Sequence, residues 1–105
     1  MAEQFVKGKI RADKVIVFGK ASCPYCHQAM DLLKQLRVKP SHLEFVDIGG
    51  RSDTEAIQSY FQQTTGARTV PRVYIGEICI GGFSDLQELH SKGELIPKLK
   101  QIGVL

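Results

Sequence analysis

The chain has 105 residues, which at roughly 100–200 residues per domain makes one domain and leaves nothing for a second. Hydrophobic residues supply 43% and charged residues 24%, an ordinary globular balance that excludes disordered, collagen-like and coiled-coil classes. The net charge is +3 with neutral histidines, and Lys7, Lys9, Arg11 and Lys14 form no compact run, so the basic excess reads as a solvated face and no nucleic-acid partner is expected.

In chain order, residues 3–11 are expected as a short amphipathic helix with Phe5, Val6 and Ile10 on one side. Val15–Phe18 is rich in β-branched residues and wholly apolar, as a strand buried on both faces should be. Gly19-Lys20-Ala21-Ser22 then leads into apolar positions at Cys26, Met30, Leu33 and Leu36, which have helical spacing. Pro24 fits the first helical position and Pro40 closes the segment. Leu43–Asp47 reads as a second strand, and Gly49-Gly50 breaks the chain. Ser52-Asp53-Thr54-Glu55 is a capping-box signature for a helix carrying Ile57, Tyr60, Phe61 and Thr64, with Gly66 as its stop. Val70–Ile75 and Ile78–Ile80 read as strands joined by Gly76-Glu77, a pair suited to a two-residue type II′ hairpin turn. Ser84 with Gln87 offers another capping box, for a helix carrying Leu86 and Leu89; Leu95, Leu99 and Ile102 mark a last helix.

A strand–helix–strand unit gives a parallel pair, and the later hairpin adds antiparallel strands. The expected architecture is therefore α/β, a four-stranded mixed sheet flanked by helices on both faces. That is the thioredoxin fold, here as a single domain over 1–105.

Three cysteines are far too few for a small secreted disulfide scaffold. Met1-Ala2-Glu3-Gln4-Phe5 has an acid and no apolar core, so no signal peptide is expected. The densest apolar stretch, Val15–Phe18, falls far short of a membrane span, and no membrane partner is expected. A cytoplasmic protein follows, in a compartment that keeps thiols reduced, where a close Cys pair points to metal or redox chemistry.

Cys23-Pro24-Tyr25-Cys26 sits where a buried strand passes through a short loop into a helix. A spacing of three residues puts both sulfurs on one side of the first helical turn. Cys23 then lies at the helix N-terminus, where unpaired N–H groups and the helix dipole favour negative charge. Such an environment lowers a thiol pKa, to about 3.5–7.5 in related C-x-x-C motifs against about 8.5 for a free cysteine. Lys20 adds positive charge nearby. Cys23 is thus the candidate nucleophile, and Cys26, one turn in and more covered, the candidate resolving thiol. Pro24 has no N–H to lose at this position and stiffens the turn. Tyr25 is expected to face outward at the rim.

Other chemistries compete for these residues. Cys23-Pro24-Tyr25-Cys26-His27 also matches the C-x-x-C-H signature of c-type haem attachment, but Met30, one turn along the same helix, is no distant axial ligand. His27 reads better as a rim residue. A structural zinc site wants a second ligand pair at similar spacing, whereas Cys79 stands alone between Ile78 and Ile80. No metal ligand set is assigned. Cys79 is expected to be a packed core thiol, and His42 and His90 to be surface residues.

With Thr69-Val70-Pro71 and Gly81-Gly82-x-Ser84-Asp85 added to Cys23-Pro24-Tyr25-Cys26, nearly the whole chain resembles a dithiol glutaredoxin of the vertebrate cytosolic type. The Cys-Gly-Pro-Cys of the sister thioredoxins is absent. The resemblance implies a glutathione–disulfide oxidoreductase, a thioltransferase with no tightly bound cofactor. Its partners would be glutathione as co-substrate and glutathionylated and disulfide-containing proteins. Nothing suggests a large interface, and a monomer is expected.

The resemblance also assigns a glutathione-binding set. Pro71 matches the family's cis-proline, which costs only about 0.5–1 kcal/mol over trans and would turn Val70 toward an incoming peptide. Val70 would pair in antiparallel fashion with the cysteinyl unit of glutathione. Backbone N–H groups of Ser84 and Asp85 would hold the γ-glutamyl carboxylate and the Asp85 side chain its ammonium. Lys20, Arg68 and Gln58 would hold the glycyl carboxylate, and Tyr25 and Thr69 would line the groove. Departures from the pattern are Phe83 and Gly8, where some relatives carry thiols; they leave fewer routes to regulatory disulfides. Relatives that hold an iron–sulfur cluster usually have Ser in place of Pro24, so a cluster is not expected.

Overall fold

The computed structural model describes all 105 residues. Helix α1 (Ala2–Lys9) precedes strand β1 (Val15–Gly19), followed by α2 (Pro24–Gln35), a 3-10 turn (Pro40–His42) and β2 (Leu43–Asp47). Then come α3 (Thr54–Thr65), β3 (Arg72–Ile75), β4 (Ile78–Gly81), α4 (Phe83–Ser91) and α5 (Leu95–Gln101). The strands lie in the order β2-β1-β3-β4, with β1 parallel to β2 and antiparallel to β3, and β3 antiparallel to β4. This is the expected four-stranded mixed sheet of the thioredoxin fold.

Strand β1 is central and every one of its residues is buried. Its side chains alternate between two cores, as the two-residue period of a strand requires. Val15 and Val17 pack with Ala29, Leu33, Leu86, Leu95 and Leu99 from α2, α4 and α5. Ile16 and Phe18 pack on the opposite face with Val6 from α1, Ile57 and Phe61 from α3, and Tyr74. Phe18 meets Phe61 at 5.3 Å between ring centroids and Tyr74 edge-on at 5.8 Å. Fully burying side chains of this size contributes about 1.5–3 kcal/mol each, so the two cores together fix β1 and the loop that leaves its end.

Four local expectations need correction. Strand β3 starts at Arg72 and not at Val70, because Pro71 has no N–H to donate to a ladder. The capping box at Ser52 does not form: Asp53 precedes α3, and its carboxylate is held by Arg51 at 2.7 and 3.1 Å. Helix α4 begins at Phe83, so Ser84 does not cap it. Instead the carboxylate of Asp85 reaches back to accept from the Gly82 N–H at 2.8 Å. Cys79 is only half-buried, since β4 is an edge strand with one side uncovered. The turn at Gly76-Glu77 does match its expected type: Gly76 has φ +63° while Glu77 has no positive φ.

Candidate active site

Helix α2 begins directly after the Lys20–Cys23 turn that follows β1. Cys23 is its N-cap residue, and Cys23 Sγ accepts a hydrogen bond from the Cys26 N–H at 3.1 Å. Pro24 occupies the first helical position, where an N–H would have no intrahelical partner in any case. The two cysteines are paired as a disulfide, with Cα atoms 5.2 Å apart, inside the range that a disulfide spans. Cys26 is fully buried, whereas Cys23 is partly exposed. Only one of the two sulfurs is therefore open to an incoming disulfide.

Facing Cys23 is the turn that leads into β3, with a cis Val70–Pro71 peptide. Cys23 Sγ lies 4.0 Å from the Val70 carbonyl oxygen. Beside them opens a cavity of about 540 Å³ lined by Tyr25, Thr69, Val70, Pro71, Ser84 and Asp85 from the expected set. Arg72, Gly82, Phe83 and Gln87 complete the wall around the start of α4. Tyr25 is 62% exposed and stacks on Phe83 at 5.8 Å between centroids. Its outward orientation agrees with the sequence reading.

Lys20, Gln58 and Arg68 lie outside that wall and form a chain of their own. Lys20 Nζ donates to Gln58 Oε1 at 3.5 Å, and Gln58 Nε2 donates to the Arg68 carbonyl at 3.0 Å. The Arg68 guanidinium is paired with Glu55 at 2.8 Å on the surface. An exposed pair of this kind is worth about 0–1 kcal/mol, so it yields readily to another carboxylate. His27 turns to the loop: its Nε2–H donates to the Ala21 carbonyl at 2.6 Å, and its ring stacks on Phe45. No group of three or more His, Cys, Asp or Glu side chains is arranged to hold a metal ion. No helix is long and apolar enough to cross a membrane.

One residue of this region carried no signal in the sequence. Arg72 looked like one polar position in a strand, yet it is 5% exposed and the only charged side chain in the buried set. Its guanidinium donates to the Thr69 carbonyl at 2.9 Å and to Thr65 Oγ1 at 3.2 Å. A charge with a buried, hydrogen-bonded fate is visible only once the fold brings α3 and the 69–71 turn together.

Comparison with known proteins agrees with this geometry. A family model described as Glutaredoxin matches residues 15–80. Over 105 residues the chain is 57% identical to Glutaredoxin-1 of Homo sapiens and 56% identical to Glutaredoxin-1 of Sus scrofa, covering 100% of this chain and 99% of each relative. A solved buckwheat glutaredoxin–glutathione complex has a TM-score of 0.91 at 35% identity, covering 100% of this chain and 93% of that one. Likeness at that level over the whole length, with a dithiol at a helix start as its chemical centre, leads to one conclusion: the chain belongs to the glutaredoxin family.

Proposed function

We propose that Cys23 is the attacking thiolate, that Cys26 resolves its mixed disulfides, and that residues 1–105 work as one domain. As a glutaredoxin the chain is a glutathione-dependent thiol–disulfide oxidoreductase, and glutathione is its co-substrate, not a resident cofactor. The observation that carries the assignment is the Cys26 N–H donating to Cys23 Sγ at the start of α2. A donor and a helix N-terminus aimed at one sulfur favour its anion, and the anion is the form that attacks disulfides.

In deglutathionylation, the Cys23 thiolate attacks the glutathionyl sulfur. The bond between glutathione and the client breaks, the client sulfur leaves as thiolate, and a Cys23–glutathione disulfide forms. A second glutathione thiolate attacks the glutathionyl sulfur of that intermediate, releasing Cys23 thiolate and oxidised glutathione. With a protein disulfide, Cys23 is first joined to the client. Cys26 then attacks Cys23 Sγ, releasing the reduced client and leaving the Cys23–Cys26 disulfide, which two glutathiones reduce. A sulfur stable as an anion is also a good leaving group, so the same environment serves both halves of the cycle.

Glutathione would lie along the groove with its cysteinyl unit paired to the Val70 backbone beside Pro71. Its γ-glutamyl carboxylate would meet the N–H groups of Ser84 and Asp85, and its ammonium the Asp85 carboxylate. Its glycyl carboxylate would reach Lys20, Arg68 and Gln58, with Tyr25 and Thr69 as walls. The open rim at Tyr25 supports protein-sized clients, both glutathionylated and disulfide-bonded. A monomer in the cytoplasm fits an enzyme regenerated by reduced glutathione.

Alkylation of Cys23 in the reduced protein, followed against pH by mass spectrometry of its peptide, tests the reading. The rate should reach half its maximum below the pH of about 8.5 that a free thiol shows, and S-methylglutathione should protect. A free-thiol profile, or no protection, would overturn it.

A further inference from the structure

Arg72 is buried with no carboxylate in salt-bridge distance. Its three hydrogen bonds all go to neutral oxygens: Nε to the Thr69 carbonyl at 2.9 Å, Nη1 to Thr65 Oγ1 at 3.2 Å, and Nη2 to Thr69 Oγ1 at 3.5 Å. On the remaining side it meets the backbone that starts α4, where a Cβ added at Gly82 would stand 3.5 Å from Nη2. One guanidinium thus touches the end of α3, the turn that faces Cys23, and the start of α4. The last two of these pieces line the cavity together with Arg72 itself, and the end of α3 supports them from behind.

Two physical consequences follow. The planar fork is held between the Thr69 carbonyl and Thr65 Oγ1, which fixes where its charge lies. The charge is also placed under the N-terminus of α4, where Asp85 puts a carboxylate of its own against the Gly82 N–H. An anion arriving there would be repelled by Asp85 and attracted by the helix N-terminus. A buried cation behind Gly82 offsets the repulsion, and burial keeps its field from being screened.

We propose that Arg72 is a positioning residue for the glutathionyl group, acting through its charge beneath the γ-glutamyl end, where its hydrogen bonds to Thr69 and Thr65 hold it. This rests on the glutathione groove described above and adds to it a charge set against the Gly82 backbone.

The test compares two peptide mixed disulfides, one carrying glutathione and one carrying cysteinylglycine, which lacks the γ-glutamyl unit. The parent enzyme should favour the glutathionyl substrate by at least about 10-fold in kcat/KM. Arg72→Met should cut that preference at least about 5-fold, mainly through KM, while turnover of the cysteinylglycyl substrate stays within about 2-fold. Arg72→Lys, which keeps the charge, should retain more of the preference than Arg72→Met. If Arg72→Met fails to fold, Arg72→Gln carries the same comparison, and Thr65→Val, which removes one acceptor away from the groove, should move the preference in the same direction. A variant that keeps the full preference, or loses activity on both substrates alike, would overturn the role of Arg72. A parent enzyme with no preference would instead overturn the groove itself.

Discussion

Sγ of Cys23 takes the place that a serine hydroxyl usually holds at a helix start, accepting the Cys26 N–H at 3.1 Å. Serine is at least as good a cap, so Cys23→Ser should keep α2 intact while removing the nucleophile. The variant should melt within a few degrees of the parent and show no turnover of either glutathionylated or disulfide substrates. Cys26→Ser should keep deglutathionylation and lose reduction of protein disulfides, because only the second reaction needs a resolving thiol. Paired melting curves and the two activity assays check this, and residual activity in Cys23→Ser would remove the assignment.

Gly19 ends β1 immediately before the active turn, and its missing side chain leaves room for Cys26. A Cβ there would stand 2.8 Å from Cys26 Sγ and 2.8 Å from Phe45 Cε1, closer than packed atoms tolerate. Gly19→Ala should therefore destabilise by about 1–3 kcal/mol, the usual cost of overpacking. Because the displaced atom is the resolving sulfur, protein-disulfide reduction should fall further than deglutathionylation. Urea melts and the ratio of the two rates would show it; equal loss in both reactions would mean that Cys26 had not moved.

The sheet, both cores and the placement of the dithiol were legible because they depend on periodicity. Val15–Phe18 is apolar at every position, and a central strand covered on both faces leaves no other arrangement. The helix starts were less legible. A capping signature states which side chains are able to cap, and Arg51 wins Asp53 for an ion pair that holds the Asp53 carboxyl below its usual pKa. Asp85 likewise serves Gly82 once α4 starts two residues earlier than a Ser84 cap would place it. Cys79 was misjudged because neighbouring isoleucines suggest a core strand, and only the strand order shows that β4 is an edge. Arg72 was invisible because its partners, Thr65 and Thr69, belong to a helix end and a turn whose meeting is a tertiary fact.

Arg37 closes α2 in a left-handed conformation, φ +67°, where glycine is the usual occupant. Its N–H donates to the Lys34 carbonyl at 2.9 Å and the Val38 N–H to the Leu33 carbonyl at 3.2 Å, the paired bonds of a Schellman closure. A side chain in that region costs about 1–2 kcal/mol. Glycine gives back about 0.5–1 kcal/mol through its more flexible unfolded chain. Arg37→Gly should therefore stabilise by roughly 0.5–1 kcal/mol, the difference of those two costs. The urea midpoint should rise with an unchanged slope, and activity should not alter; a lower midpoint would show that the exposed Arg37 side chain contributes something its surroundings do not reveal.

Tyr74 gives the fold a limit in alkali. It is 5% exposed, packs edge-on against Phe18, and burial, its largest influence, raises the phenol from 10.0 to about 12, with Cys79 and Tyr60 adding to the shift. A pKa raised on folding contributes stability that is complete below the unfolded value near 10 and disappears as pH rises through about 12. Two units at ~1.4 kcal/mol each set an upper bound of about 3 kcal/mol, reduced by whatever water reaches the ring through the cavity it shares with Cys79 and Glu77. Phenylalanine keeps the ring and cannot ionise. Tyr74→Phe should consequently lose less stability than the parent between pH 9 and pH 12, whatever the offset between the two proteins at pH 8. The other alkaline losses, at Lys7 beside Glu3 and Lys92 beside Glu88, are common to both proteins and cancel in the comparison. Urea midpoints taken across that range measure the difference, and parallel curves would show that the Tyr74 hydroxyl ionises without leaving the core.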